Sequence, residues 1–81
     1  ELRHAQLSEA LAQADTLIAG TLRQSADEEH LIELYRVELE RGLVRLTDLF
    51  LALENHARTV NDMIQTEADR SRIVNALMHL Q

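Results

Sequence analysis

Apolar and polar positions alternate along this chain at helical spacing almost from end to end. Over roughly residues 2–23 the apolar row is Leu7, Leu11, Ala14, Ile18 and Leu22, each three or four residues from the next. Ala10, Ala12, Ala19 and Gly20 sit on or beside that row and would let a neighbouring helix approach closely. Further on, two rows interleave. One is Ile32, Tyr35, Leu39, Gly42, Leu46, Leu49 and Leu53, with the three–four alternation of a coiled-coil seam. The other is Leu39, Leu43, Leu46, Phe50, Leu53, Ala57, Val60 and Ile64. Their union is wider than one seam and predicts a helix with two neighbours.

The expected boundaries follow from capping chemistry. In Gln24–Glu29, Ser25 followed three residues later by Glu28 matches a capping box, in which each side chain accepts from the other's backbone amide. Asp27, Glu28 and Glu29 would place negative charge at the positive end of a new helix, and Arg23 would lie near the negative end of the old one. A connection this short predicts antiparallel neighbours. A second boundary is expected near residues 55–59, where Asn55 suits a left-handed terminus and Thr59 with Asp62 suits a new cap. The polar run Gln65–Arg72 is the other candidate stop, before the stripe resumes at Ile73, Val74, Leu77, Met78 and Leu80. The expected architecture is one helical domain over residues 1–81. Its helices span about 2–23, 26–56 and 59–80, as an antiparallel hairpin extended to an up-down-up bundle. In the alternative, a long second helix runs past Ile64 and completes its core by oligomerisation. Gly42, between Leu39 and Leu46, reads as a notch in the helix surface for close approach of another helix.

Composition supports the all-α class. The 81 residues include two glycines, no proline and 2% aromatic residues, which leaves little material for strands or tight turns. There are no cysteines, so no disulfide framework can compensate for a small core. A chain of this length buries only about 60–65% of its unfolded surface. Stability is therefore expected to come from a protein partner or a homo-oligomer, in the first place a dimer. Fourteen acidic residues against eight arginines give a net charge of −6. That charge repels nucleic-acid phosphates and anionic membrane surfaces, so neither is an expected partner. The longest apolar run, Leu49–Leu53, is too short to span a bilayer. No signal-peptide pattern opens the sequence, and the expected location is the cytoplasm.

Candidate chemistry is sparse. Glu1 and His4, Asp27 and His30, and His30 and Glu33 are three apart, the spacing used by carboxylate–histidine metal sites in helical bundles. Such sites need inward-facing ligands, and no glutamate interrupts the apolar rows of the second predicted helix. His56 falls between Leu53 and Val60 and reads as a core or hinge histidine; its neutral form would be favoured if it were desolvated. His79 carries no readable role. Ser8, Ser25 and Ser71 are the serines, none beside a glycine-rich turn that could form an oxyanion hole. The two glycines, Gly20 and Gly42, are too far apart for a phosphate-binding loop. No catalytic, cofactor-binding or metal-ligating residue is assigned, and the chain is not expected to be an enzyme or to carry a cofactor. The helix-spaced pairs Arg36–Glu40, Glu38–Arg41 and Glu54–Arg58 read as a solvated face.

Two resemblances bear on function. The stretch LIELYRVELERGLVRLTDLFLALE, residues 31–54, resembles the first helix of the histidine phosphotransfer domains of chemotaxis-type kinases. In that family the next helix carries a histidine followed by Lys-Gly. Here Arg70 stands about where that histidine would fall, and Lys-Gly is absent, so the resemblance implies a non-phosphorylatable relative that acts by docking. LSEALAQA, residues 7–14, with ELERGLVRLTDL, residues 38–49, also resembles the small helical co-chaperones of type III secretion needle subunits. That resemblance implies shielding of a partner's apolar helices. Both agree with the reading of the residues themselves: a non-catalytic interaction module of adaptor or chaperone type. Its expected interaction face is Ile32, Tyr35, Leu39, Gly42, Leu43, Leu46, Leu49, Phe50, Leu53, Val60 and Ile64.

Overall fold

The chain turns back on itself at Gly42. A computed structural model describes residues 2–80, as two long helices, α1 (Leu2–Glu40) and α2 (Leu46–His79), packed antiparallel and joined by residues 41–45. Gly42 has φ +71°, a left-handed conformation that costs an L-residue about 1–2 kcal/mol. Its amide donates to the Leu39 carbonyl at 3.0 Å, and the Leu43 amide donates to the Glu38 carbonyl at 2.9 Å. These two bonds satisfy carbonyls that the end of a helix leaves free, in the glycine-terminated closure common at helix C-termini. α2 then starts after Arg45, whose backbone is extended (φ −86°, ψ 151°). The Arg45 amide donates to Asp48 Oδ2 at 3.1 Å, which also sets a carboxylate in the positively polarised first turn.

Several sequence expectations are corrected here. Gln24–Glu29 is continuous helix within α1, and Ser25 is one of its buried residues rather than a cap. Nothing in that stretch forbids helix, since it lacks glycine and proline and is rich in good helix formers. Residues 55–59 and Gln65–Arg72 likewise lie inside α2. No three-helix bundle forms among the described residues; the expected third helix is the far half of α2. Gly42 is not a notch. It is exposed, and a Cβ there would meet nothing within 4 Å, so its backbone angle and not the space around it requires glycine. The three–four spacing through Leu39, Gly42 and Leu46 crosses a loop in step with the pattern on either side.

The helices meet along a strict three–four repeat. On α1 the half-buried or buried positions run Leu7, Leu11, Ala14, Ile18, Thr21, Ser25, Glu28, Ile32, Tyr35, Leu39. On α2 they run Leu49, Ala52, His56, Thr59, Met63, Thr66, Arg70, Ile73, Leu77, Leu80. This 3.5-residue period is that of a coiled coil. Cross-helix contacts Asp15–Arg70, Gln24–Thr59 and Glu28–His56 set the register. That register puts Leu7 and Leu11 across from Leu77 and Ile73 at the open end, and Ile32 and Tyr35 across from Ala52 and Leu49 near the turn. The seam is apolar at its ends and polar in its middle. The hydrophobic row read from the sequence leaves it at Leu22, which is exposed, because the repeat continues through Thr21 instead.

Such a hairpin buries little. It measures 61 × 14 × 13 Å, with a radius of gyration of 18.2 Å against about 12 Å for a compact chain of this length. Its accessible surface is 6157 Å², where a compact 9.2 kDa monomer exposes about 4,900 Å². Ala52 is the buried apolar residue, beside buried Ser25 and Thr59, and no large side chain is fully enclosed among the described residues.

The two glycines separate conformation from space. Gly42→Ala should destabilise the fold by about 1–2 kcal/mol through its backbone angle. Gly20→Ala, inside α1 with open space where the Cβ would go, should stabilise it by about 0.5–1 kcal/mol. Urea titration followed by circular dichroism at fixed protein concentration measures both, and equal shifts for the two would contradict the assigned turn.

Candidate functional site

The middle of the seam holds a hydrogen-bonded polar cluster. Glu28 projects from α1 with its side chain 18% exposed and meets two residues of α2. Its Oε1 lies 3.2 Å from His56 Nδ1, and its Oε2 accepts from the Thr59 hydroxyl at 2.9 Å. Gln24 Nε2 donates to Thr59 Oγ1 at 3.4 Å and lies 3.5 Å from Glu28 Oε2. The Thr59 hydroxyl is also 3.2 Å from the Asn55 carbonyl; its one hydrogen serves one acceptor at a time, and the carboxylate is nearer. The second ring nitrogen of His56 lies 3.6 Å from Glu29 Oε1. The ring is thus set between the carboxylates of two successive α1 residues.

The arrangement follows from the period. Gln24 and Ser25 each lie one turn before Glu28 on α1, and His56 lies one turn before Thr59 on α2, so each set shares a side of its helix. No buried side-chain nitrogen or oxygen is left without a partner among the described residues. The cluster is therefore closed on itself. It sits where packing would otherwise be apolar, and it matches only one register of the two helices, the best-attested use of buried polar groups in coiled coils. His56 is a core histidine, as its place in the sequence suggested. Its partners are masked in the sequence, because Ser25 and Glu28 also have the spacing of a cap. The signal that could have found them is the three–four repeat itself, continued from Ile18 without regard to polarity.

No metal centre is assembled. Among the described residues no three histidine, aspartate or glutamate side chains group to hold an ion, and the two nitrogens of His56 are directed at different carboxylates. His30, Asp27 and Glu33 are all exposed, and the Glu1–His4 pairing falls outside the described residues. Two surface hollows lie on single helices, one lined by Ala12, Gln13, Thr16 and Leu17, another by Gln65, Ala68, Asp69 and Arg72. Of the predicted surface ion pairs, Glu54–Arg58 forms at 3.1 Å, while Arg36 lies 3.7 Å from Glu33 instead of pairing with Glu40. Both are solvent-exposed and contribute a few tenths of a kcal/mol. No helix among the described residues is long and apolar enough to cross a membrane.

The structure divides the expected interaction face in two. Ile32, Tyr35, Leu39 and Leu49 are half-buried in the seam, and Val60 is half-buried at its edge. Gly42 and Leu43 lie exposed in the turn. Leu46, Phe50, Leu53 and Ile64 are exposed on α2, with Phe50 and Ile64 each at 59%. Leu46, Phe50, Leu53, Ala57, Val60 and Ile64 are spaced four, three, four, three and four apart. From Phe50 onward each directly follows a seam residue, so this second stripe is rotated about 100° from the seam. α1 covers little of it, Val60 being half-buried at the seam's edge. On the same side of the hairpin α1 presents small or apolar Ala19, Leu22 and Ala26 in its middle, then charged Glu29, Glu33 and Arg36 toward the turn.

The polar cluster makes a test. Glu28→Ala alone should cost about 1.5–3 kcal/mol, since it leaves His56 and Thr59 without a charged acceptor. Glu28→Leu combined with His56→Leu should return stability to the wild-type level or above it, as apolar replacement of both partners of a buried polar contact can do. A double-mutant cycle by urea titration measures this; single variants as stable as the wild type would mean the cluster contributes nothing.

Comparison of the chain with known protein families, curated proteins and solved structures yields no match.

Proposed function

We propose that this chain is a non-catalytic helical interaction module, which works by covering an apolar helix face against a second polypeptide. The observation that carries this reading is the α2 stripe from Leu46 to Ile64. It is a heptad-spaced apolar row along about five turns, in which Leu46, Phe50, Leu53 and Ile64 are exposed, while the seam beside it is polar in its centre. Isolated exposed leucines are ordinary on protein surfaces, but an aligned row of this length marks a docking site. On α1, exposed Leu17, Leu31 and Leu34 share the flank one position before the seam, but polar Gln24 and Asp27 interrupt that row. The polar cluster supports a structural role, because its groups are committed to one another.

A photo-crosslinking side chain in place of Phe50 should capture a polypeptide in the native setting several-fold more efficiently than the same probe at Asn55, on the opposite, polar side of α2. Equal yields at the two positions would overturn the reading. Phe50→Asp should weaken association roughly tenfold to hundredfold while leaving helix content intact. Sedimentation together with circular dichroism separates those two effects.

A further inference from the structure

We infer that the occupant of the α2 stripe is a second copy of this chain, with the two α2 helices packed antiparallel about a two-fold axis between Leu53 and Ala57. This rests on the reading of the stripe as a docking face and names the partner. Area is the first argument. One hairpin exposes 6157 Å², about 1,200 Å² more than a compact monomer of its mass. Two chains that hid this excess would bury about 2,400 Å², the range of obligate homodimers. The hairpin is 14 × 13 Å in cross-section. Two placed with their α2 helices together form a four-helix assembly in which α2 gains its second neighbour.

Steric fit is the second argument. An isologous contact requires the stripe to match itself when reversed. Reversed about residue 55, Phe50 meets Val60, Leu53 meets Ala57, and Leu46 meets Ile64. The largest side chain faces a β-branched one and Leu53 faces an alanine, so bulk is spread along the contact. No charged residue belongs to the stripe between Leu46 and Ile64.

Charge decides which helix a second copy meets. α1 carries eight acids against three arginines, and α2 five against three. Contact through α1 would bring together the two more acidic surfaces, whereas contact through α2 brings together the less acidic ones. Beside the stripe, Glu54 is already paired with Arg58 at 3.1 Å. Near the two-fold axis this pair lies next to its own copy, so each glutamate has an arginine of either chain nearby and the contact edge is neutral.

The test uses the full chain, which has no native cysteine. Sedimentation equilibrium across a wide concentration range should give twice the chain mass at the upper end. Spin labels on Glu54→Cys should report a single short distance across the axis. Labels on Met78→Cys should lie about 70 Å apart, from a rise of 1.5 Å per residue away from the axis. Phe50→Asp should return the mass to that of one chain, and Leu17→Asp, on α1, should not. A monomer at every concentration overturns the inference, as do two short label distances or a dimer indifferent to Phe50→Asp. If the chain is monomeric and the Phe50 crosslink captures a different protein, the second copy is wrong and the interaction module stands. If it is monomeric and that crosslink captures nothing, both are wrong.

Discussion

Two helices can hide one strip of each other's surface and no more. That constraint governs this protein. A helix with a single apolar face is satisfied in a hairpin; a helix with two is not. α2 has two faces, a seam from Leu49 to Leu80 and an outer stripe from Leu46 to Ile64, set about a quarter-turn apart. Packing against α1 covers the first and leaves most of the second in water. The elongated form, the large surface and the near absence of a core follow from the same geometry.

The seam chosen for the hairpin is not the more apolar of the two. Its centre carries Thr21, Ser25, Glu28, His56, Thr59 and Thr66, and the most apolar stretch of α2 faces outward. Hydrophobic burial alone would not select this arrangement. Two other terms do. Gly42 places the reversal, and so fixes which residues of α1 and α2 come level. The Glu28–His56–Thr59–Gln24 cluster then fits only that level, since a shift of one turn would leave its carboxylate and ring without partners. The hairpin gains a defined register at some expense of burial inside the chain, and most of the outer stripe stays in water.

Much of the local structure was legible in the residues. The all-helical class, the first half of the α1 seam through Leu7, Leu11, Ala14 and Ile18, and the placing of His56 in a core follow from period and composition. The boundaries did not. Ser25 with Glu28 has the spacing of a cap and also that of two seam positions, and only the partner helix distinguishes them. Gly42 lies in step with Leu39 and Leu46, so the loop it terminates is hidden in the pattern. Asp48, three residues after Arg45, was the true start signal, but it lay inside a stretch already read as helix.

The sequence by itself determined that the chain would be helical and would carry more heptad-spaced apolar surface than one helix pair can bury, because helix propensity and side-chain spacing are local properties. Tertiary structure decided which stripe went inside. That choice depends on the left-handed backbone at one glycine and on hydrogen bonds between residues about thirty positions apart, and neither is expressed in the spacing of any single helix.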